Sequence, residues 1–130
     1  AKQVVLQSVT GVAAVTSSVL LAHLPELGAL NRQKLAAIVG IAPYNCDSGT
    51  HQGRRAISGG RERVRKAVYM AAKTAAIAKN KSQMAELYRR LIAKGKPYKV
   101  AIIAVARKLL AHLNTLIKQL IEERAALQPT

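Results

Sequence analysis

Apolar residues recur along this chain at the three-to-four-residue spacing of α-helices, and glycine, proline and small polar residues break the pattern into segments. A first helix is expected over residues 2–8, ending at Thr10-Gly11, and a second over 13–24, stopped by Pro25. Asn31 is a suitable N-cap for a short third helix, Arg32–Val39, with Gly40 placed to end it. A turn-rich stretch follows, and a long helix is expected over 61–78, with Val64, Val68, Ala71 and Ala75 as its buried stripe. On that helix Arg61, Arg65 and Lys73 form a second stripe that passes through Tyr69. Ser82 should cap a helix over 83–94 that turns Leu87 and Leu91 inward and Arg89 and Arg90 outward. Gly95 ends it, and Pro97 starts the last and longest helix, 97–126. Its first half is nearly all apolar up to Arg107-Lys108, as expected of the spine of a core.

The expected fold is therefore all-α: a compact bundle of five to six helices in one domain, with a glycine-rich loop at about 41–60 and a basic helical part over 61–126. A length of 130 residues suffices to bury a core without staples. That core must be built from Ala, Leu, Ile and Val, because there is no Phe or Trp and only four Tyr. The same shortage leaves few aromatic platforms for stacking single-stranded bases. Residues 3–25 carry no formal charge, but Gln3, Gln7, Ser8, Thr10, Gly11, Thr16, Ser17 and Ser18 interrupt them, which argues against a membrane span.

Charge narrows the choice of partner. The formal net charge is +15, and 16 of the 21 lysines and arginines lie between Arg54 and Lys108, against two acids, Glu62 and Glu86. Such a field repels itself unless a polyanion is present, which points to nucleic acid ahead of an anionic membrane. The unit helix, Val9-Thr10-Gly11-Val12 turn, helix within residues 1–28 has the outline of a helix-hairpin-helix, whose turn offers backbone N–H groups to a DNA phosphate. Ala13 stands where a second hairpin glycine is usual. Plain helical packing is the competing reading of this unit.

The candidate chemistry lies in the 41–60 loop. Asp47-Ser48-Gly49 presents a hydroxyl beside glycine, Arg54 and Arg55 follow, and Gly59-Gly60 leads into the basic helix. Backbone N–H groups at a helix start, with arginines beside them, suit a phosphate. Arg54, Arg55, Arg61 and Arg65, with Gly59 and Gly60, are the candidate phosphate contacts. Gly11, Lys94, Lys96, Arg107 and Lys108 extend the candidate DNA-binding set. A solvated surface loop on a DNA- or RNA-binding module without catalysis is the alternative.

Other chemistries lack their residues. There is no Gly-Lys-Ser or Gly-Lys-Thr phosphate loop. Cys46 and His51 fall short of a zinc site, and His23 and His112 sit within helical patterns. Six scattered acids cannot hold two metal ions, so no metal site is assigned. The single cysteine excludes an internal disulfide and fits a reducing compartment.

The order of motifs resembles one family. Ser8-Val9-Thr10-Gly11-Val12, Leu24-Pro25-Glu26-Leu27-Gly28 and Leu35-Ala36-Ala37-Ile38-Val39-Gly40-Ile41-Ala42-Pro43 come first. Asn45-Cys46-Asp47-Ser48-Gly49, Gly53-Arg54-Arg55, Ile57-Ser58-Gly59-Gly60-Arg61 and Val64-Arg65 follow. Tyr69-Met70-Ala71, Tyr88-Arg89-Arg90-Leu91, Lys94-Gly95-Lys96-Pro97 and Arg107-Lys108-Leu109-Leu110 complete the series. Together they resemble the C-terminal domain of insertion-sequence transposases that join a DEDD (RuvC-like) nuclease domain to a serine-bearing domain, the bridge-RNA-guided recombinases.

The resemblance implies that Ser48 is a nucleophile toward a DNA phosphodiester, with Ser58 the rival serine. It implies DNA and a guide RNA as partners, a homo-oligomer in the full-length protein, no membrane, and a cytoplasmic, nucleoid-associated place in a bacterium or archaeon. The chain, which starts on Ala, is expected to be the C-terminal part of that longer protein. No cofactor is expected in this domain, while Mg2+ is expected in the N-terminal nuclease domain. The chain alone is expected to be inactive. Cys46 stands where the family pattern suggests an arginine.

Overall fold

A computed structural model describes residues 2–41, 59–78 and 82–127. Among these residues there are six α-helices and no strand: α1 (Lys2–Gln7), α2 (Ala14–His23), α3 (Arg32–Val39), α4 (Gly59–Ile77), α5 (Gln83–Ala93) and α6 (Tyr98–Leu127). The all-α bundle expected from the pattern is present. One boundary moves: α4 starts at Gly59, so Gly59 and Gly60 form its first turn instead of closing the loop before it.

The ends of the helices follow from their sequences. Asn31 Oδ1 accepts from the Lys34 N–H at 2.8 Å, which satisfies one of the donors left open at the start of α3. Gly40 closes α3 in the left-handed region (φ 94°), and the N–H groups of Gly40 and Ile41 both donate to the Ala36 carbonyl. Ser82 Oγ caps α5 by accepting from the Ala85 N–H at 3.2 Å. Gly95, at φ 85°, reverses the chain between α5 and α6, and the Pro97 carbonyl accepts the first bond of α6 from Ala101.

Helices α4 and α6 pack on each other at the centre. Helices α2 and α5 lie against α4, while α1, α3 and α5 lie against α6. The α4 side of the core is Val64, Val68, Ala71, Ala72, Ala75 and Ala76. The α6 side runs from Ala101 and Ile102 through Val105, Leu109 and Leu113 to Ile117. Alanine-rich faces let helix axes approach closely, which is how a core without Phe or Trp reaches interior density. By length and hydropathy α6 could cross a membrane, yet half of its apolar stretch is buried in the bundle, the pattern of a core helix.

The uncharged N-terminal stretch uses its polar residues internally. Gln3 Nε2 donates to Ser18 Oγ at 3.1 Å, and Gln7 Nε2 donates to the buried Ser17 Oγ at 3.3 Å, joining α1 to α2. The turn between α2 and α3 is held by the buried Asn114 of α6. Its Oδ1 accepts from the Gly28 N–H, and its Nδ2 donates to the Leu30 carbonyl at 2.9 Å. At Gly28 itself φ is 89°, and an added Cβ would lie 2.7 Å from Ile117 Cγ2.

Candidate nucleic-acid interface

Helix α4 turns one face to the core and presents its cations beside it. Lys66 pairs with Glu62 at 3.2 Å on the exposed side, one helical turn apart. Arg65 is half-buried, and its Nη1 is fully buried with no hydrogen-bond partner. A guanidinium donor withdrawn from water without an acceptor is costly, so its natural complement is an anion or another strong acceptor. Lys73 Nζ lies 5.5 Å from the centre of the Tyr69 ring, a cation–π contact. The stripe read in the sequence through Arg61, Arg65, Tyr69 and Lys73 is thus brought onto one helix, each step one turn of about 6 Å.

Two basic concavities flank the central helices. One, of about 560 Å³, lies between α4 and α6 and is lined by Arg65, Lys66, Tyr69, Met70, Lys99 and Ile103. The other, of about 510 Å³, joins Arg32 and Gln33 of α3 to Leu87 of α5 and to Arg107 and Lys108 of α6. Arg107 and Lys108, assigned from sequence, are exposed there. Lys94 and Lys96 are exposed on either side of the left-handed Gly95, in the turn between α5 and α6.

Sequence reading missed Arg32 and Lys99 as members of these surfaces. Neither adjoins a motif in the chain, and each is brought to its cleft by helix packing. A periodic signal for Lys99 did exist, since it lies four residues before Ile103 on α6.

At the N-terminal turn the structure supplies a packing reason for glycine. Gly11 has φ 95°, and an added Cβ would sit 2.6 Å from the Ala71 carbonyl oxygen and 3.2 Å from Ala75 Cβ. Ala13 has an ordinary extended backbone (φ −109°), so no second glycine is required there. Ala13 also gives α2 no side-chain cap. A shallow concavity formed by Gly11, Val12, Ala13 and Thr16 with Met70, Ala71 and Thr74 adjoins that uncapped helix start.

Ser48, Arg54, Arg55 and Ser58 lie outside the described residues. On either side of them in the chain stand Ile41, which is buried, and Gly59, the first residue of α4. Arg65 lies about 9 Å along α4 from Gly59. Among the described residues no three Cys, His, Asp or Glu side chains gather to hold a metal ion.

An all-α domain with two clefts lined by lysine and arginine has the charge and shape expected of a basic helical nucleic-acid-binding domain. A family model described as Transposase IS116/IS110/IS902 family matches residues 3–89, about two thirds of the chain. The chain belongs to that transposase family, which places it in DNA transposition with DNA as its partner. No curated protein and no solved structure matches it. The family match runs from α1 into α5 and includes the Ser48 segment and all of α4.

Proposed function

We propose that this chain is the serine-bearing domain of a recombinase and that Ser48 is its nucleophile. The single observation that supports this most is the position of Asp47-Ser48-Gly49 in the chain, inside the family match and between Ile41 and the cationic start of α4. In the reaction Ser48 Oγ attacks the phosphorus of a DNA phosphodiester. The Oγ–P bond forms, the P–O bond to one sugar breaks, and the serine proton leaves while the departing sugar oxygen gains one. The strand is then held as a phosphoserine ester. A hydroxyl of the exchanged strand reverses the step, restoring a phosphodiester and the free serine.

A serine hydroxyl is a weak nucleophile until its charge is stabilised. Arg54, Arg55, Arg61 and Arg65 are the proposed source of that stabilisation on the phosphate oxygens. Gly59 and Gly60 would bring backbone N–H groups of the first turn of α4 to the same phosphate. Gly11, Lys94, Lys96, Arg107 and Lys108 would hold the flanking backbone. Any metal-dependent step is assigned to a separate DEDD nuclease domain, with a guide RNA and further protomers completing the assembly.

The test is Ser48→Ala in full-length protein supplied with its guide. Covalent protein–DNA adducts on a denaturing gel and recombination should both disappear, while DNA binding stays within about twofold, because a glycine-flanked hydroxyl contributes little to stability. An adduct that survives Ser48→Ala but is lost in Ser58→Ala would show that Ser58 is the nucleophile. A family member that forms no adduct at all would leave a binding module without catalysis.

A further inference from the structure

We propose that the cleft between α4 and α6 receives a single unpaired nucleotide, its base against Tyr69, Met70 and Ile103 and its phosphate on Arg65 and Lys99. This rests on the reading of the chain as a nucleic-acid-binding domain and adds a ligand class to one of its surfaces. The lining has two parts: Arg65, Lys66 and Lys99 are cations, whereas Tyr69, Met70 and Ile103 offer an aromatic ring and two apolar side chains. A surface that only tracks a duplex backbone needs the cations and has no use for an apolar floor. Met70 is 58% exposed, so a large apolar side chain faces water in the middle of a cationic surface. A volume of about 560 Å³ lies within the range of small-ligand sites and accommodates one nucleoside with its phosphate.

The buried Arg65 Nη1 supplies the second, independent observation. It has no acceptor among the described residues, and the guanidinium fork matches phosphate oxygens or a base edge. A base inside a duplex is stacked and paired, and it cannot enter a concavity beside its own backbone. Only an unpaired or extruded base can. Stacking on an aromatic ring tolerates any base, so the cleft recognises strand state instead of sequence. The strand could be DNA or RNA, since both carry this chemistry.

The experiment measures affinity of the chain for labelled single strands, for the same strands with abasic residues, and for duplex, in DNA and RNA arms. Removing the bases should weaken single-strand binding about tenfold, as loss of a base–aromatic stack does. Tyr69→Leu, which keeps the bulk and removes the ring, should abolish that difference and leave duplex affinity unchanged. Met70→Asp, at an exposed position, should weaken single strands more than duplex. Tighter binding in one arm identifies the strand as RNA or as DNA.

Equal affinity for base-bearing and abasic strands would overturn the proposal. So would equal losses on single strand and duplex in Met70→Asp protein of unchanged helical circular dichroism. Should Tyr69→Leu fail to fold, the abasic comparison and Met70→Asp decide the matter alone. Duplex binding without base dependence would sink the nucleotide site only, whereas no binding of either form at low salt would sink the nucleic-acid reading with it.

Discussion

Gly11→Ala separates two roles for the N-terminal turn, a spacer between helices and a donor to DNA. The substitution meets two penalties. A residue with a Cβ held at φ 95° suffers the left-handed backbone cost, about 1–2 kcal/mol. The new methyl also falls 2.6 Å from the Ala71 carbonyl oxygen, on the backbone of the central helix, where nothing flexible can yield. Overpacking of this kind costs about 1–3 kcal/mol. The total, about 2–5 kcal/mol, is a large share of the stability of an ordinary domain.

Gly95 supplies the control. It has φ 85° but nothing within 4 Å of an added Cβ, so Gly95→Ala should show the backbone penalty alone, about 1–2 kcal/mol. Thermal and urea unfolding followed by circular dichroism measure both variants. At about 4 °C per kcal/mol, Gly11→Ala should melt at least about 8 °C below the parent and well below Gly95→Ala. Equal shifts would refute the close approach of the turn to α4. An unchanged melting temperature together with weakened DNA binding would refute the spacer role and leave the proposed phosphate contact as the only role of Gly11.

The chain should bind nucleic acid through phosphates, and four neutralised phosphates would mean a loss of about a hundredfold between about 50 and 200 mM salt in a titration. A flat titration would contradict the electrostatic reading. Residues 1–130 alone should neither cut nor join DNA with magnesium present, as a plasmid nicking assay would show, because no carboxylate cluster is gathered among the described residues. Asn114→Leu should destabilise the fold by about 2–4 kcal/mol in urea unfolding, since it leaves the Gly28 N–H and the Leu30 carbonyl without their partner. In full-length protein, the double change Arg54→Ala with Arg55→Ala should weaken binding and adduct formation together, whereas Ser48→Ala should affect adducts alone.

Local signals carried most of the fold. Asn31, Gly40, Ser82 and Gly95 mark helix ends through interactions with their immediate neighbours, so their meaning is visible without tertiary structure. The buried stripe of Val64, Val68, Ala71 and Ala75 is legible for the same reason: one helix face recurs every three to four residues. Gly59 and Gly60 misled because glycine is a poor helix former, yet both stand in the first turn of α4. The interface was legible only in part. Arg65 lies on a stripe that helical periodicity exposes, but Lys99 reaches the same cleft from α6, and no sequence spacing encodes that meeting. The shortage of aromatic residues argues against extended base stacking, and the proposed nucleotide site asks for one ring only, that of Tyr69 in the α4–α6 cleft.

On the proposed reading, holding the strand and cutting it fall to different parts of the chain. The cations of the two clefts are carried by α3, α4 and α6, whose facing sides form the core, so their positions are fixed by the same packing that stabilises the domain. In the chain Ser48 stands between the buried Ile41 and Gly59, the first residue of α4. A change at Ser48 removes no described core contact, while a change at Val64 or Ala71 would disturb both the bundle and the line of cations on α4. Loss of chemistry with binding intact is therefore the expected signature of the Ser48 segment, and joint loss of folding and binding is that of α4. A Ser48 variant that lost binding and helical structure together would place that segment inside the core and overturn this division.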